Sequence, residues 1–217
     1  MNFGQVGMMA LSSYTMAILV ITHGWNLYLA CFIGVVVAAL GGVFLGLTTL
    51  RLRGDYFAIV SIAFSEIIRY VINNSDGFTG GAQGSLAIPS PKGYSAGYTV
   101  TFDKLIRRMS VDLQPVFGSW VNRNFCMMLI TWGTAIILMV LVARLEKSSW
   151  GRILRASRED DNVPSALGKN VFKYRLQSLI LGSILGGIAG IYWAMQYSIL
   201  TPDDFQTTIT FYAWMVI

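Results

Sequence analysis

Five apolar runs, each 17 to 25 residues long, set the terms on which this chain can fold. They cover about residues 5–22, 26–50, 56–72, 125–142 and 176–196. A helix needs roughly 20 predominantly apolar residues to cross a hydrocarbon core of about 30 Å. Inside that core every backbone N–H and C=O must find its partner within the protein, which leaves helices as the natural form for runs of this length. The expected fold class is therefore all-α, a polytopic transmembrane helical bundle of about five spans. Composition points the same way: 54% of residues are hydrophobic, 12% are charged, and the mean hydropathy is +0.57. Soluble domains carry about 25% charged residues. A sixth apolar stretch, 206–217, reaches only about 18 Å as a helix. It stops without a flanking charge, and no basic n-region or cleavage site opens the chain. Both ends thus read as truncated, and the whole of 1–217 as one transmembrane domain cut from a longer protein.

Orientation follows from the basic residues. Residues 143–175 hold Arg144, Lys147, Arg152, Arg155, Arg158, Lys169, Lys173 and Arg175, and the short connection before the third span holds Arg51 and Arg53. The long polar stretch 73–122 has only Lys92, Lys104, Arg107 and Arg108. Lys and Arg gather on the cytoplasmic side of membrane proteins, which places 143–175 in the cytoplasm and 73–122 outside. The net charge of +5 then belongs to span flanks and gives no reason to expect a nucleic-acid partner. Within the outer stretch, Phe102, Leu105, Ile106 and Met109 share one face of a helix over residues 101–109. That helix suits either the membrane surface or the bundle.

Two spans carry small residues at intervals of four. Gly34, Ala38, Gly42 and Gly46 share a face of the second, and Gly182, Gly186, Gly190 and Ala194 a face of the fifth, with Ser178 a turn earlier. Such faces let helix backbones approach closely, and packing drives association in lipid. Cys31 and Cys126 fall in apolar runs and read as packing residues. The one histidine, His23, sits at a turn with no neighbouring ligand residues.

Chemistry is sparse. The chain has no Gly-x4-Gly-Lys-Ser/Thr phosphate loop, no zinc-ligand spacing and no nucleophile beside a base, so no catalytic residue, metal site or bound cofactor is expected. Glu66 and Arg69 lie three residues apart in the third span and share a face. They read either as a polar element of a solute pathway or as a pair near the helix end, with Arg69 snorkelling outward and neutralising Glu66. Thr79, Gly80 and Gly81 open a glycine-rich turn running to Gly84, either a plain connection or a substrate-facing loop with exposed N–H groups. In 143–175, Asp161 or Asn162 can cap a short helix, Pro164 fits its first turn, and Gly168 fits just past its end. This element is either a solvated connector or a docking helix for a cytoplasmic partner.

Four motifs give the chain a family likeness: FGQVGMMALSSY at Phe3–Tyr14, LRLRGDYFAIVSIAFSEIIR at Leu50–Arg69, TGGAQG with IPSP after it, and GRILRASREDDNVPSALGKNVFKYRLQSL at Gly151–Leu179. With them the chain resembles the permease subunits of ATP-binding-cassette importers for branched-chain and other hydrophobic amino acids. The resemblance implies a multi-pass protein of the inner (cytoplasmic) membrane whose partners are a second homologous permease, two cytoplasmic ATPases that use the ATP, and an external solute-binding protein. It assigns ATPase docking to Arg158, Glu159, Asp160, Asp161, Ala166, Leu167 and Gly168. Val163, Pro164 and Ser165 depart from the small residues and glutamate that members often carry there. Importers of urea and short amides have similar permeases and form the alternative within the family. An ion-coupled secondary transporter is the alternative outside it, disfavoured by the scarcity of midplane ionisable residues.

Overall fold

The computed structural model describes residues 2–50, 54–88, 100–117, 122–159, 162–197 and 199–215. Among them there is helix and no strand. The helices are α1 (Gln5–His23), α2 (Leu27–Thr49), α3 (Gly54–Asn73), α4 (Asp76–Thr79), α5 (Val100–Phe117), α6 (Arg123–Lys147), α7 (Ser149–Glu159), α8 (Asn162–Ala166), α9 (Val171–Tyr197) and α10 (Thr208–Met215), with 3-10 turns at Gly81–Ala87 and Pro202–Phe205. Five of these helices, α1, α2, α3, α6 and α9, are long and apolar enough to cross a membrane. The protein is a multi-pass helical membrane protein. Two compact units are present, Met1–Leu105 with Ile180–Ile217, and Ile106–Leu179.

In the first unit α1 is the central helix. Its ends have local causes. Gly24 stops it in the left-handed region at φ 65°, where glycine carries no Cβ penalty, and returns its N–H to Val20 O. Asn26 then accepts from the N–H of Tyr28 and starts α2. The other end of α1 begins level with Ser61, seven residues into α3, or about 10 Å along it. The N–H of Phe3 donates to Ser61 Oγ at 3.1 Å and that of Gly7 to Ser65 Oγ at 3.2 Å. A helix start leaves its first N–H groups without intrahelical partners; Ser65 supplies an acceptor for one of them, Gly7, and Ser61 ties down Phe3 just before the N-cap Gly4.

Small residues decide how close the neighbours come. A Cβ on Gly34 of α2 would lie 2.7 Å from Ser12 O of α1, and one on Gly190 of α9 would collide with Met9 O. Gly187 faces Ala38 and Ser12, and Gly42 faces Ser183. Ser12 Oγ donates to Met9 O and, across the interface, to Gly187 O at 2.8 Å. Ala38, Gly46 and Ala194 are also buried. Gly182 differs from the expected stripe, because no atom lies within 4 Å of where its Cβ would be. Its carbonyl instead accepts from Gln5 Nε2 at 2.6 Å, and that Gln5 side chain is what Gly186 faces. The working face of α9 therefore runs through Ser183, Gly186, Gly187 and Gly190. The outward faces carry large apolar side chains, among them Phe32, Leu40 and Phe44 of α2. They suit contact with lipid hydrocarbon.

The second unit differs from expectation. The 143–175 stretch is mostly helical: α6 continues to Lys147, α7 follows, and α9 starts five residues before the apolar run. In α7, Trp150, Ile153, Leu154 and Ser157 follow i, i+3, i+4, i+7 spacing, a helical stripe that the interleaved arginines obscure. Trp150 Nε1 donates to Gln177 Oε1 at 3.0 Å, and Arg175 Nη2 to Ser157 O at 3.1 Å. Gly151 lets the α6–α7 elbow close, since a Cβ there would strike the backbone of Glu146. The amphipathic helix expected over 101–109 is α5, which runs on to Phe117, its half-buried Leu113 continuing the Met109 face.

Alanine at Gly190 is expected to cost about 1–3 kcal/mol of overpacking and so to lower the melting temperature of the purified protein in detergent. Alanine at Gly182 should leave it unchanged or raise it. Equal melting temperatures for the two variants would contradict the α1–α9 register described above.

Candidate functional site

The polar side chains of the first unit converge where α3 meets the connector 199–207. Arg69 Nε donates to Glu66 Oε2 at 2.9 Å, and both side chains are mostly buried, 22% and 28% exposed. Neither stops at its helical partner. Arg69 Nη1 reaches Asp203 Oδ1 at 3.3 Å, and Thr207 Oγ1 donates to Glu66 Oε1 at 2.5 Å. The guanidinium also lies 5.2 Å from the Tyr70 ring centroid. Both Glu66 oxygens are thus engaged and the charges are neutralised inside the unit. That satisfies the need for partners that charge imposes within a span. Arg69 is neutralised by the connector as well as by Glu66, so snorkelling alone does not account for it.

The glycine turn is packed against its own unit. Thr79, Gly80 and Gly81 are buried. Thr79 Oγ1 donates to Ile72 O, fastening the turn to the end of α3. Gly80, Gly81 and Gly84 all have positive φ, 80°, 55° and 64°. A Cβ on Gly84 would collide with Leu200 O. That close approach allows a two-way pairing: the N–H of Ser85 donates to Leu200 O at 2.8 Å, and the N–H of Leu200 donates to Ser85 Oγ at 2.9 Å. Immediately after it Thr201 and Asp204 form a capping box that rigidifies Pro202–Phe205.

Sequence reasoning missed Ser85, Leu200, Asp203 and Thr207. Thr201-x-x-Asp204 was a readable helix-start signal. The pairings themselves join residues 115 to 141 positions apart and left no local trace.

In the second unit α8 covers Asn162–Ala166, and its end has the expected chemistry. Gly168 is left-handed at φ 69° and returns its N–H to Ser165 O, while Lys169 N–H reaches Pro164 O. Ala166, Leu167 and Gly168 are exposed, Leu167 by 75%. Arg158 is exposed near the end of α7. Glu159 closes that helix, though its side chain, like Asp160 and Asp161 entirely, lies outside the described residues.

A family model described as "Branched-chain amino acid transport system / permease component" matches residues 1–217. Over 207 residues the chain is 28% identical to the high-affinity branched-chain amino acid transport system permease protein LivM of Escherichia coli (strain K12), an overlap of 93% of this chain and 48% of that protein. LivM of Salmonella typhimurium (strain LT2) gives the same identity and coverage. The probable branched-chain amino acid transport permease protein LivM of Methanocaldococcus jannaschii is 26% identical over 186 residues, 86% of this chain and 45% of that protein. The chain spans about half the length of the curated relatives it matches. No solved structure matches it.

Replacing Ser85 with Ala removes the acceptor for the buried N–H of Leu200. Leaving such a donor unpaired costs about 1–3 kcal/mol, so the melting temperature should fall, whereas Ala at the exposed Gln83 should not move it. A Ser85→Ala variant as stable as the parent would show that the turn does not depend on this pairing.

Proposed function

The chain belongs to the branched-chain amino acid transport permease family, and on that footing we propose that it is the membrane-spanning permease subunit of an ATP-binding-cassette importer for branched-chain or other hydrophobic amino acids. In this reading it binds no cofactor and performs no covalent chemistry. Two partner ATPases hydrolyse ATP on the cytoplasmic side, a second homologous permease completes the membrane part, and a solute-binding protein delivers from outside.

The observation that carries the reading is the helix pair α7 and α8. It is set between two spans and flanked by basic residues, and its tip residues Ala166, Leu167 and Gly168 are exposed. An exposed leucine on a capped helix turn is what a cleft in a partner can grip, and the Lys and Arg around it favour the cytoplasmic side. Closure of the ATPases would push on α8 and, through Trp150–Gln177 and Arg175–Ser157, on the first turns of α9. The family resemblance adds Arg158, Glu159, Asp160 and Asp161 to this docking role. At the delivery side Glu66 and Arg69 would border the route, with Thr79, Gly80 and Gly81 holding its rim rigid. The close helix packing supports a scaffold for alternating access in preference to a solute-binding surface.

The test is ATP-driven uptake of radiolabelled leucine by the complete importer in proteoliposomes. Leu167→Asp puts a charge at the tip while leaving the fold untouched, because the side chain is exposed. Uptake should be lost and ATPase recruitment reduced by at least tenfold, with membrane insertion normal. Normal uptake and recruitment by this variant would remove the docking role. Absence of leucine uptake by the unaltered importer would remove the solute assignment.

A further inference from the structure

Of the five span-length helices α6 is the least covered by the rest of the chain: 11% of its apolar stretch is buried within the protein, against 61% for α1. Along its C-terminal half Ile137, Val140, Leu141, Arg144 and Leu145 line one open groove of about 320 Å³. Their spacing, i, i+3, i+4, i+7 and i+8, is a single stripe of one helix face, about 12 Å long. A narrow apolar stripe of that length matches an extended hydrocarbon chain better than a compact solute. The groove ends in charge. Arg144 lines its last turn, and Lys147 follows one turn on and ends α6. Arg155 of α7 donates to Glu146 O at 3.2 Å and brings a third cation to the same turn. Arg144 and Lys147 are exposed, and neither pairs with an acid among the described residues. Glu146, the acid of α6, stands two residues from Arg144, a spacing that a helix does not bring face to face.

We propose that this groove holds one acyl chain of an anionic phospholipid of the cytoplasmic leaflet, whose phosphate sits between Arg144 and Lys147. Depth and charge together choose this occupant. Lys147 closes the span and Trp150 follows it, residue types that lie at headgroup level. Ile137 lies ten residues before Lys147, about 15 Å along the helix. A water-soluble ATPase does not reach that depth. A span of a second permease does, but its own cytoplasmic flank carries Lys and Arg, and these would meet Arg144 and Lys147 with like charge. A phospholipid brings the apolar chain and the negative charge at matching depths. Clusters of Lys and Arg just beyond a span favour anionic headgroups over zwitterionic ones. The bound headgroup ties the α6–α7 elbow, where Arg155 reaches Glu146, to the membrane surface. The site rests on the membrane-spanning fold and not on the importer reading.

Photolabelling tests it without solute, nucleotide or uptake, so its failure is separate from failure of the transport proposal. The full-length chain in its complete complex is placed in phosphatidylcholine nanodiscs. These carry a trace of phosphatidylglycerol or of phosphatidylcholine with a photoreactive diazirine in the acyl chain, and labelled peptides are mapped by mass spectrometry. With two basic residues at the headgroup, the phosphatidylglycerol probe should label 137–145 about tenfold more than the phosphatidylcholine probe. Each basic residue contributes about fivefold in affinity, so Arg144→Gln should lower that ratio about fivefold. Arg144→Gln/Lys147→Gln should bring it close to one. Arg107→Gln/Arg108→Gln, which removes two exposed cations from α5, should leave it unchanged. Equal labelling by the two probes in the unaltered protein overturns the proposal, and that comparison stands whether or not any variant folds. Absence of label from 137–145 with both probes also overturns it, because a protein partner then covers the groove. So does a double variant that keeps the preference, or an α5 variant that loses it.

Discussion

The first unit depends on one constraint, the close approach of backbones to α1 where its neighbours have no side chain. Gly34 of α2 sits on Ser12 O, and Gly190 of α9 on the backbone of Met9. Inside a membrane this contact cannot draw on the hydrophobic effect, because lipid tails are as apolar as leucine. Dispersion contacts between close surfaces and a few interhelical hydrogen bonds must suffice, and Ser12 Oγ to Gly187 O and Gln5 Nε2 to Gly182 O are two of these. Once α1 is fixed, Phe3 and Gly7 meet the α3 serines. That sets the rotation of α3 and turns Glu66 and Arg69 toward the connector. A methyl group added at Gly190 would act at the far end of this series, on residues it never touches.

The polar features divide between restraint and exposure. Glu66, Arg69 and Thr79 are engaged with partners inside the unit, and the three positive-φ glycines of the turn are buried. Ala166, Leu167 and Gly168 are exposed on a short, capped helix. Under the proposed function, this contrast would suit a subunit that is pushed at one place and moves as a body.

The spans were legible because an apolar run of membrane length has few other folds open to it, and α1, α2 and α3 begin and end within two residues of their runs. The cap at Gly168 was legible because glycine past a helix end has a local cause. α7 was obscured because Arg152, Arg155 and Arg158 dominate the composition around Trp150, Ile153 and Leu154. Gly182 was placed in the packing stripe because four-residue spacing does not report which side of a 3.6-residue helix the partner approaches. Ser183 and Gly187, one residue further along, face α2 instead. The roles of Ser85, Asp203 and Thr207 depend on contacts between distant segments, which no single-sequence pattern encodes.

The register of α1 against α2 can be read directly from thiol chemistry. Cys31 Sγ lies 3.6 Å from Met16 Sδ across that interface. Cys31 and Cys126 are the chain's two cysteines, both free. A Cys sulfur at position 16 would stop one bond short of the Met16 Sδ, so a Met16→Cys variant should be bridged to Cys31 by a bifunctional thiol reagent with a short spacer. The 16–31 bridge should be the dominant intramolecular product by mass spectrometry. Absence of a 16–31 bridge, or a bridge involving Cys126, would contradict the packing from which the rest of the unit follows.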